Sequence, residues 1–174
     1  IVVVATARAL KFHGGVQRAD LNTENVGAVE TGLANLGRHL DNMAKFGVPA
    51  VVAINRFTLD TDAELDAIRK YCLNRRQPVA VCTHWADGGA GAESLARLAS
   101  EAANSGKAEF KPIYASEMPL LEKIETVASE IYRADGVDIS SSAKTRLQTL
   151  QERGYGNLPV CMAKTQYSFS GDPS

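Results

Sequence analysis

Ile1-Val2-Val3-Val4-Ala5 and Ala50-Val51-Val52-Ala53-Ile54 are short, continuous, apolar runs rich in β-branched residues. Runs of that kind form strands buried on both faces of a parallel sheet. Between them Val26, Val29, Leu33, Leu36, Leu40 and Met43 recur at intervals of three and four, which marks one face of a long helix. Gly47 is placed to end that helix, and Pro49 prevents its continuation. Strand, helix, strand in this order is the unit from which parallel sheets are built.

The pattern extends outward from there. Thr61-Asp62-Ala63-Glu64 has the form of a capping box, with Leu65, Ile68 and Cys72 as the apolar stripe behind it. Val79 to Cys82 reads as a third strand. Asp87-Gly88-Gly89 then leads to a small-residue helix carrying Leu95, Leu98 and Ala102. Phe110 to Tyr114 reads as a fourth strand, at an edge because of Pro112. Leu120, Ile124, Val127 and Ile131 are in helical register, Ser140 to Ser142 cap a further helix reaching about Glu152, and Leu158 to Met162 reads as a last strand. The sequence predicts an α/β layered fold with a mainly parallel sheet and flanking helices. Its character changes near Tyr114 to Ser116, which divides it into an α/β ligand-binding portion over 1–114 and a helix-rich portion over 115–174. The chain opens without Met inside a strand, so a piece of a longer polypeptide is expected.

Composition narrows the function classes. The chain has 174 residues, 45% of them apolar and 22% charged, enough to build a core. Nineteen Lys and Arg against twenty Asp and Glu leave a net charge of −1, which argues against a protein held to nucleic acid or membrane by bulk charge. No apolar run approaches the roughly 20 residues of a membrane helix. Cys72, Cys82 and Cys161 each sit in an apolar segment and cannot all pair, which suits free thiols in a reducing cytoplasm.

In open parallel sheets ligands bind beyond the carboxyl ends of the strands. Three segments here fit that position, each read as a loop: Thr6 to Gly15, Asn55 to Phe57, and Thr83 to Gly89. In the first, Arg8 and Lys11 accompany the Gly14-Gly15 pair, a set suited to a phosphate or carboxylate. It fits equally a surface turn with solvated charges. In the second, Asn55 follows a buried strand, where an amide can read the edge of a planar heterocycle or close an Asx-turn. Nucleotide-binding proteins of the GTPase kind place Asn-Lys-x-Asp there. This chain has Asn55-Arg56-Phe57-Thr58, which lacks the guanine-selecting Asp, so adenine or no purine fits better. Phe57 and Trp85 rise from neighbouring strands and can sandwich a flat ring, or pack into the core. Cys82 and His84 find no second pair to complete a metal site, His39 reads as structural, and no phosphate loop Gly-x-x-x-x-Gly-Lys-Ser/Thr occurs.

Val4-Ala5-Thr6-Ala7-Arg8-Ala9-Leu10-Lys11-Phe12-His13-Gly14-Gly15 resembles a signature of the formate–tetrahydrofolate ligase (10-formyltetrahydrofolate synthetase) family, with Ala7 where that signature has Ile or Val. Val51 to Phe57, Trp85 to Gly89 and Asn157 to Gln166 resemble the same family, in order along the whole length. The resemblance implies a C-terminal portion of a longer enzyme, related in fold to P-loop NTPases, whose phosphate loop lies N-terminal of Ile1. It implies an ATP-dependent reaction. Formate attacks the γ-phosphate to give formyl phosphate, and the folate amine takes the formyl group to give 10-formyltetrahydrofolate, with ADP and phosphate released.

Magnesium with ATP, activation by a monovalent cation (K+ or NH4+), a cytoplasmic location and a homotetramer are implied as well. Phe57 and Trp85, 28 positions apart, match the aromatic pair that sandwiches the pterin, although Thr58 stands where the family often has Pro. Asn55 matches a strand-end Asn near the pterin and purine region. Arg8, Lys11, Gly14 and Gly15 fall in the signature and are expected to bind nucleotide or another anion. Lys164 lies in a matching segment with no evident physical role, no metal ligand is expected in this chain, and the catalytic residues stay unassigned. By itself the chain is expected to be inactive as a ligase. A non-catalytic nucleotide-binding or assembly module of the same fold is the alternative.

Overall fold

A computed structural model describes residues 1–163 and 168–169, so Lys164 and the residues just after it lie outside the described residues. The chain forms two compact units, one over Ile1–Phe110 and a second beginning at Lys111. The first is an α/β layer built on a parallel sheet of β1 (Val2–Ala5), β2 (Val51–Asn55) and β3 (Val79–Cys82), in the order β1-β2-β3. Ala5 lies opposite Ile54, and Asn55 opposite Cys82, so the strands end on one common edge.

Alternation along the strands sorts the side chains between two faces. Val3, Ala5, Val52, Ile54, Val79 and Val81 point into the main core, which also holds residues of α1 (Ala7–His13), α2 (Val26–Lys45) and α3 (Asp62–Asn74). Val29, Leu33, Leu36 and Leu40 of α2, and Leu65, Ile68 and Cys72 of α3, fill it, as their spacing requires. On the opposite face α5 (Glu93–Asn104) contacts β2 and β3. That coverage buries all of Val51–Ile54 but leaves Val2 and Val4 of β1 43% and 64% exposed. Among the described residues β1 is therefore covered on one face, that of the main core.

Thr6 to Gly15, expected as a loop, is instead helix α1 and its C-terminal cap. Thr6 Oγ1 accepts the Ala9 N–H at 3.1 Å, and Gly14 donates back to Leu10 O at 2.8 Å. Ala7 and Leu10 face the core. Lys11 lies on the buried side with them and disguises the stripe. α1 meets α2 backbone to backbone: a Cβ on Gly14 would sit 2.0 Å from Ala28 O, and one on Gly32 would sit 2.0 Å from Leu10 O.

One ion pair ties the helices together. Lys11 Nζ lies 2.8 Å from Glu64 Oε1, both side chains being almost wholly enclosed, and it also donates to Thr23 O at 3.1 Å. Glu64 Oε1 accepts the N–H of Asn25, the N-cap of α2, at 2.9 Å. Its Oε2 accepts the Thr61 N–H at 3.2 Å, completing the capping box that begins α3. A single carboxylate thus meets α1, the start of α2 and the start of α3.

Two expected strands are absent. Phe110 to Tyr114 has no ladder: Glu109 N–H reaches Gly47 O at 2.8 Å, Phe110 stacks on Phe46 with ring centroids 6.5 Å apart, and Pro112 has no N–H to offer. Leu158 to Met162 is anchored by side chains instead. Lys123 Nζ donates to Ser116 O, Gly156 O and Leu158 O at 2.6, 2.7 and 3.1 Å, and Val160 N–H donates to Tyr114 Oη at 3.0 Å. The second unit otherwise holds the expected helices, α6 (Leu120–Glu130) and α7 (Ser141–Leu150), the latter capped by Ser140. Among the described residues no helix is long and apolar enough to cross a membrane.

Breaking a buried pair by removing one partner costs about 3–5 kcal/mol, because the other charge is left enclosed and uncompensated. Lys11→Met or Glu64→Gln is expected to destabilise the chain on that scale in denaturant titrations, and Lys11→Met with Glu64→Leu to recover much of the loss. Burial pushes the Glu64 carboxyl up, but hydrogen bonds from Lys11, Asn25 and Thr61 and the Lys11 charge outweigh it and hold it below its ordinary 4.5. A depressed carboxyl stabilises the fold above its unfolded value, and that contribution is lost as pH falls through the folded one. The acid limb of unfolding is expected to shrink in the double variant.

Candidate functional site

The common edge where β2 and β3 end carries the strongest candidate. Asn55 closes β2, and the next amide, Arg56 N–H, still donates to Cys82 O at 3.0 Å, so the two chains leave the sheet side by side. Phe57 stands two residues beyond Asn55 and is 41% exposed; Trp85 stands three beyond Cys82 and is 71% exposed. A bulky aromatic left in water forgoes its burial energy, so these two rings are the candidates on this edge for contact with another group. The same edge holds an unsatisfied group. Asn55 Oδ1 is enclosed and has no hydrogen-bond partner. A buried acceptor left open costs about 1–3 kcal/mol, a debt that a ligand donor would relieve.

Local bonds hold each aromatic. Phe57 opens a turn in which Asp60 N–H donates to Phe57 O at 3.1 Å, while Phe57 N–H donates to Asp60 Oδ2 at 2.8 Å. Arg56 pairs with Asp62 across the base of the turn at 3.0 Å. Trp85 rides on α4 (His84–Asp87), a single helical turn where the expectation was a loop. Ala86 and Asp87 N–H both donate to Thr83 O at 2.9 Å, and Thr83 N–H donates to Gly91 O at 3.0 Å.

The signature residues are brought together in α1 and its cap, but into different surroundings. Arg8 is exposed and donates to Asn22 Oδ1 at 2.6 Å. The Lys11 ammonium is enclosed against Glu64. Gly14 is pressed against Ala28, whereas Gly15, at φ +90°, has open space around its Cα. Of the four signature positions expected at a site, Arg8 and Gly15 therefore face outward, and Lys11 and Gly14 serve to pack α1. His13 and His39 are both held below the ordinary imidazole value by burial, His39 further by the nearby charges of His13 and Arg38. Burial pushes the Cys72 thiol up to about 11, that of an inert core thiol. Among the described residues no three His, Cys, Asp or Glu side chains converge as metal ligands. Asp60 was not singled out by sequence; its one signal is its place directly before the Thr61 cap.

The first unit is thus an α/β domain in which an unpartnered strand-end amide oxygen and two exposed aromatics lie where the parallel strands β2 and β3 end. The family model for formate–tetrahydrofolate ligase matches residues 1–174, and the chain belongs to that family. It is 56% identical over 173 residues to the formate–tetrahydrofolate ligase of Maricaulis maris, covering 99% of this chain and 31% of that protein. The ligases of Hyphomonas neptunium and Ruegeria pomeroyi are 53% and 55% identical over 174 residues, again with 31% of their length covered. The chain thus spans under a third of the curated relatives it matches.

Removing an unsatisfied acceptor should not harm the fold. Asn55→Ala is expected to leave the thermal midpoint unchanged or higher, since the lost amide had no oxygen partner to give up. A clear fall in the midpoint would show that the Asn55 carbonyl is satisfied after all.

Proposed function

We propose that this chain supplies the tetrahydrofolate side of a formate–tetrahydrofolate ligase site. The observation that carries the reading is the placement of Asn55, Phe57 and Trp85 on one edge of the sheet, with the Asn55 side-chain oxygen unpartnered and both rings exposed. A pterin is planar and aromatic and carries N–H donors on its edge. Stacking between Phe57 and Trp85 would hold its faces, at about 1–3 kcal/mol per ring contact. An edge N–H would donate to Asn55 Oδ1 and fix the ring's rotation.

The reaction assigned to the whole enzyme has two steps. A formate oxygen bonds to the γ-phosphorus of ATP as the bond to ADP breaks, giving formyl phosphate. The folate amine nitrogen then bonds to the formyl carbon as phosphate leaves and a proton is released, giving 10-formyltetrahydrofolate. In this scheme the present chain binds and orients the nucleophile of the second step. Orientation of that kind lowers a barrier by removing the freedom the reactants would otherwise lose. Arg8, exposed at the start of α1, is the cation available to an anionic group, whether a phosphate or a folate carboxylate. Lys11 keeps its place against Glu64, and no magnesium ligand is proposed among these residues.

Trp85 is the sole tryptophan of the chain, so intrinsic fluorescence reports on this loop alone. Titration with tetrahydrofolate is expected to quench it saturably, and Phe57→Ala to weaken binding roughly tenfold or more, in keeping with the loss of one stacking contact. Magnesium-ATP is expected to leave the signal unchanged. Turnover of ATP, formate and tetrahydrofolate by the chain alone is expected to be nil. Fluorescence indifferent to tetrahydrofolate would overturn the assignment.

A further inference from the structure

We propose that Asp60 is a positioning residue for the ligand, setting the place of the Phe57 ring before binding. The inference rests on the reading of Phe57 as a stacking residue. Its observation is the closed turn between Phe57 and Asp60. The Asp60 carboxylate is enclosed, 8% exposed, although it belongs to a residue type that normally seeks water. It accepts the Phe57 N–H at 2.8 Å, and its own N–H returns to Phe57 O at 3.1 Å. Both backbone polar groups of Phe57 are thereby committed to one residue. Thr58 and Leu59 between them are exposed, so packing does little to hold the turn.

Asp60 is itself held on its C-terminal side. Thr61 caps α3 and Glu64 closes the box, so the segment directly after Asp60 is part of the enclosed network that includes Lys11. A carboxylate just before a helix N-terminus also lies where the helix dipole favours negative charge. The line of bonds runs from the core to the cap, from the cap to Asp60, and from Asp60 to the backbone of Phe57. The exposed ring is thus presented on a fixed backbone, and the ligand need not supply the ordering of the turn.

Affinity for tetrahydrofolate, read by Trp85 quenching, separates this role from a structural one. Asp60→Ala is expected to bind about fivefold more weakly, the size of an ordering cost shifted onto binding. Asp60→Asn keeps an acceptor oxygen but not the charge, and is expected to restore wild-type affinity even where the thermal midpoint falls through the lost dipole interaction. In a double-mutant cycle, Asp60→Ala is expected to add no further loss to Phe57→Ala, because its effect passes through that ring. Wild-type affinity in Asp60→Ala beside weakened Phe57→Ala would overturn the positioning role and leave the stacking assignment standing. An equal loss from Asp60→Ala with or without Phe57 would also overturn it. Wild-type affinity in Phe57→Ala would remove the stacking assignment, and this inference with it.

Discussion

Glu64 organises the first unit of this chain. Enclosed carboxylates are tolerated when their oxygens are fully engaged, and here one side chain meets the Lys11 ammonium and the amides of Asn25 and Thr61. Those partners lie on or at the start of three different helices. Loss of that carboxylate would leave the Lys11 ammonium enclosed and the three helix segments without their common partner. The close approach of α1 and α2 at Gly14 and Gly32 belongs to the same arrangement, since any Cβ there would displace α1 and move Lys11 away.

From that arrangement the site follows by short steps. The capping box that engages Glu64 also starts α3, and the turn before α3 carries Phe57. Parallel pairing sets the end of β2 level with the end of β3, so the Phe57 turn and the short helix bearing Trp85 follow from the same edge of the sheet. The open carbonyl of Asn55 is left at the last paired position of β2. Rigidity in the buried layer and exposure at the rim are two results of one topology, the usual division of labour in α/β domains.

Much of this was legible in the residues. The α2 stripe with its Gly47 and Pro49 terminators, the Thr61–Glu64 box and the three apolar strands rest on local patterns, and all of them form. Helix α1 escaped notice because Lys11 interrupts its buried face, and only a partner 53 positions away makes a lysine acceptable there. Phe110 to Tyr114 and Leu158 to Met162 have strand composition, but a strand also needs a neighbour, and neither segment finds one. At the site, Asn55, Phe57 and Trp85 stood out by type and position. That the Asn55 carbonyl is open, or that Asp60 grips Phe57, depends on distances no spacing rule contains.

The parallel register has a kinetic side. Val2 pairs with Val51 and Val52 with Val79, so among the described residues no two strands meet through a local hairpin. Each pairing must close a long loop before it gains anything, whereas the stripes and caps of α2 and α3 act within a few residues. Helices are therefore expected to assemble ahead of the sheet, which leaves the apolar strand segments unpaired for that interval. A nascent chain of this design depends on how quickly β2 acquires both neighbours, because until then its Val-Val-Ala-Ile run is a sticky edge open to any other chain.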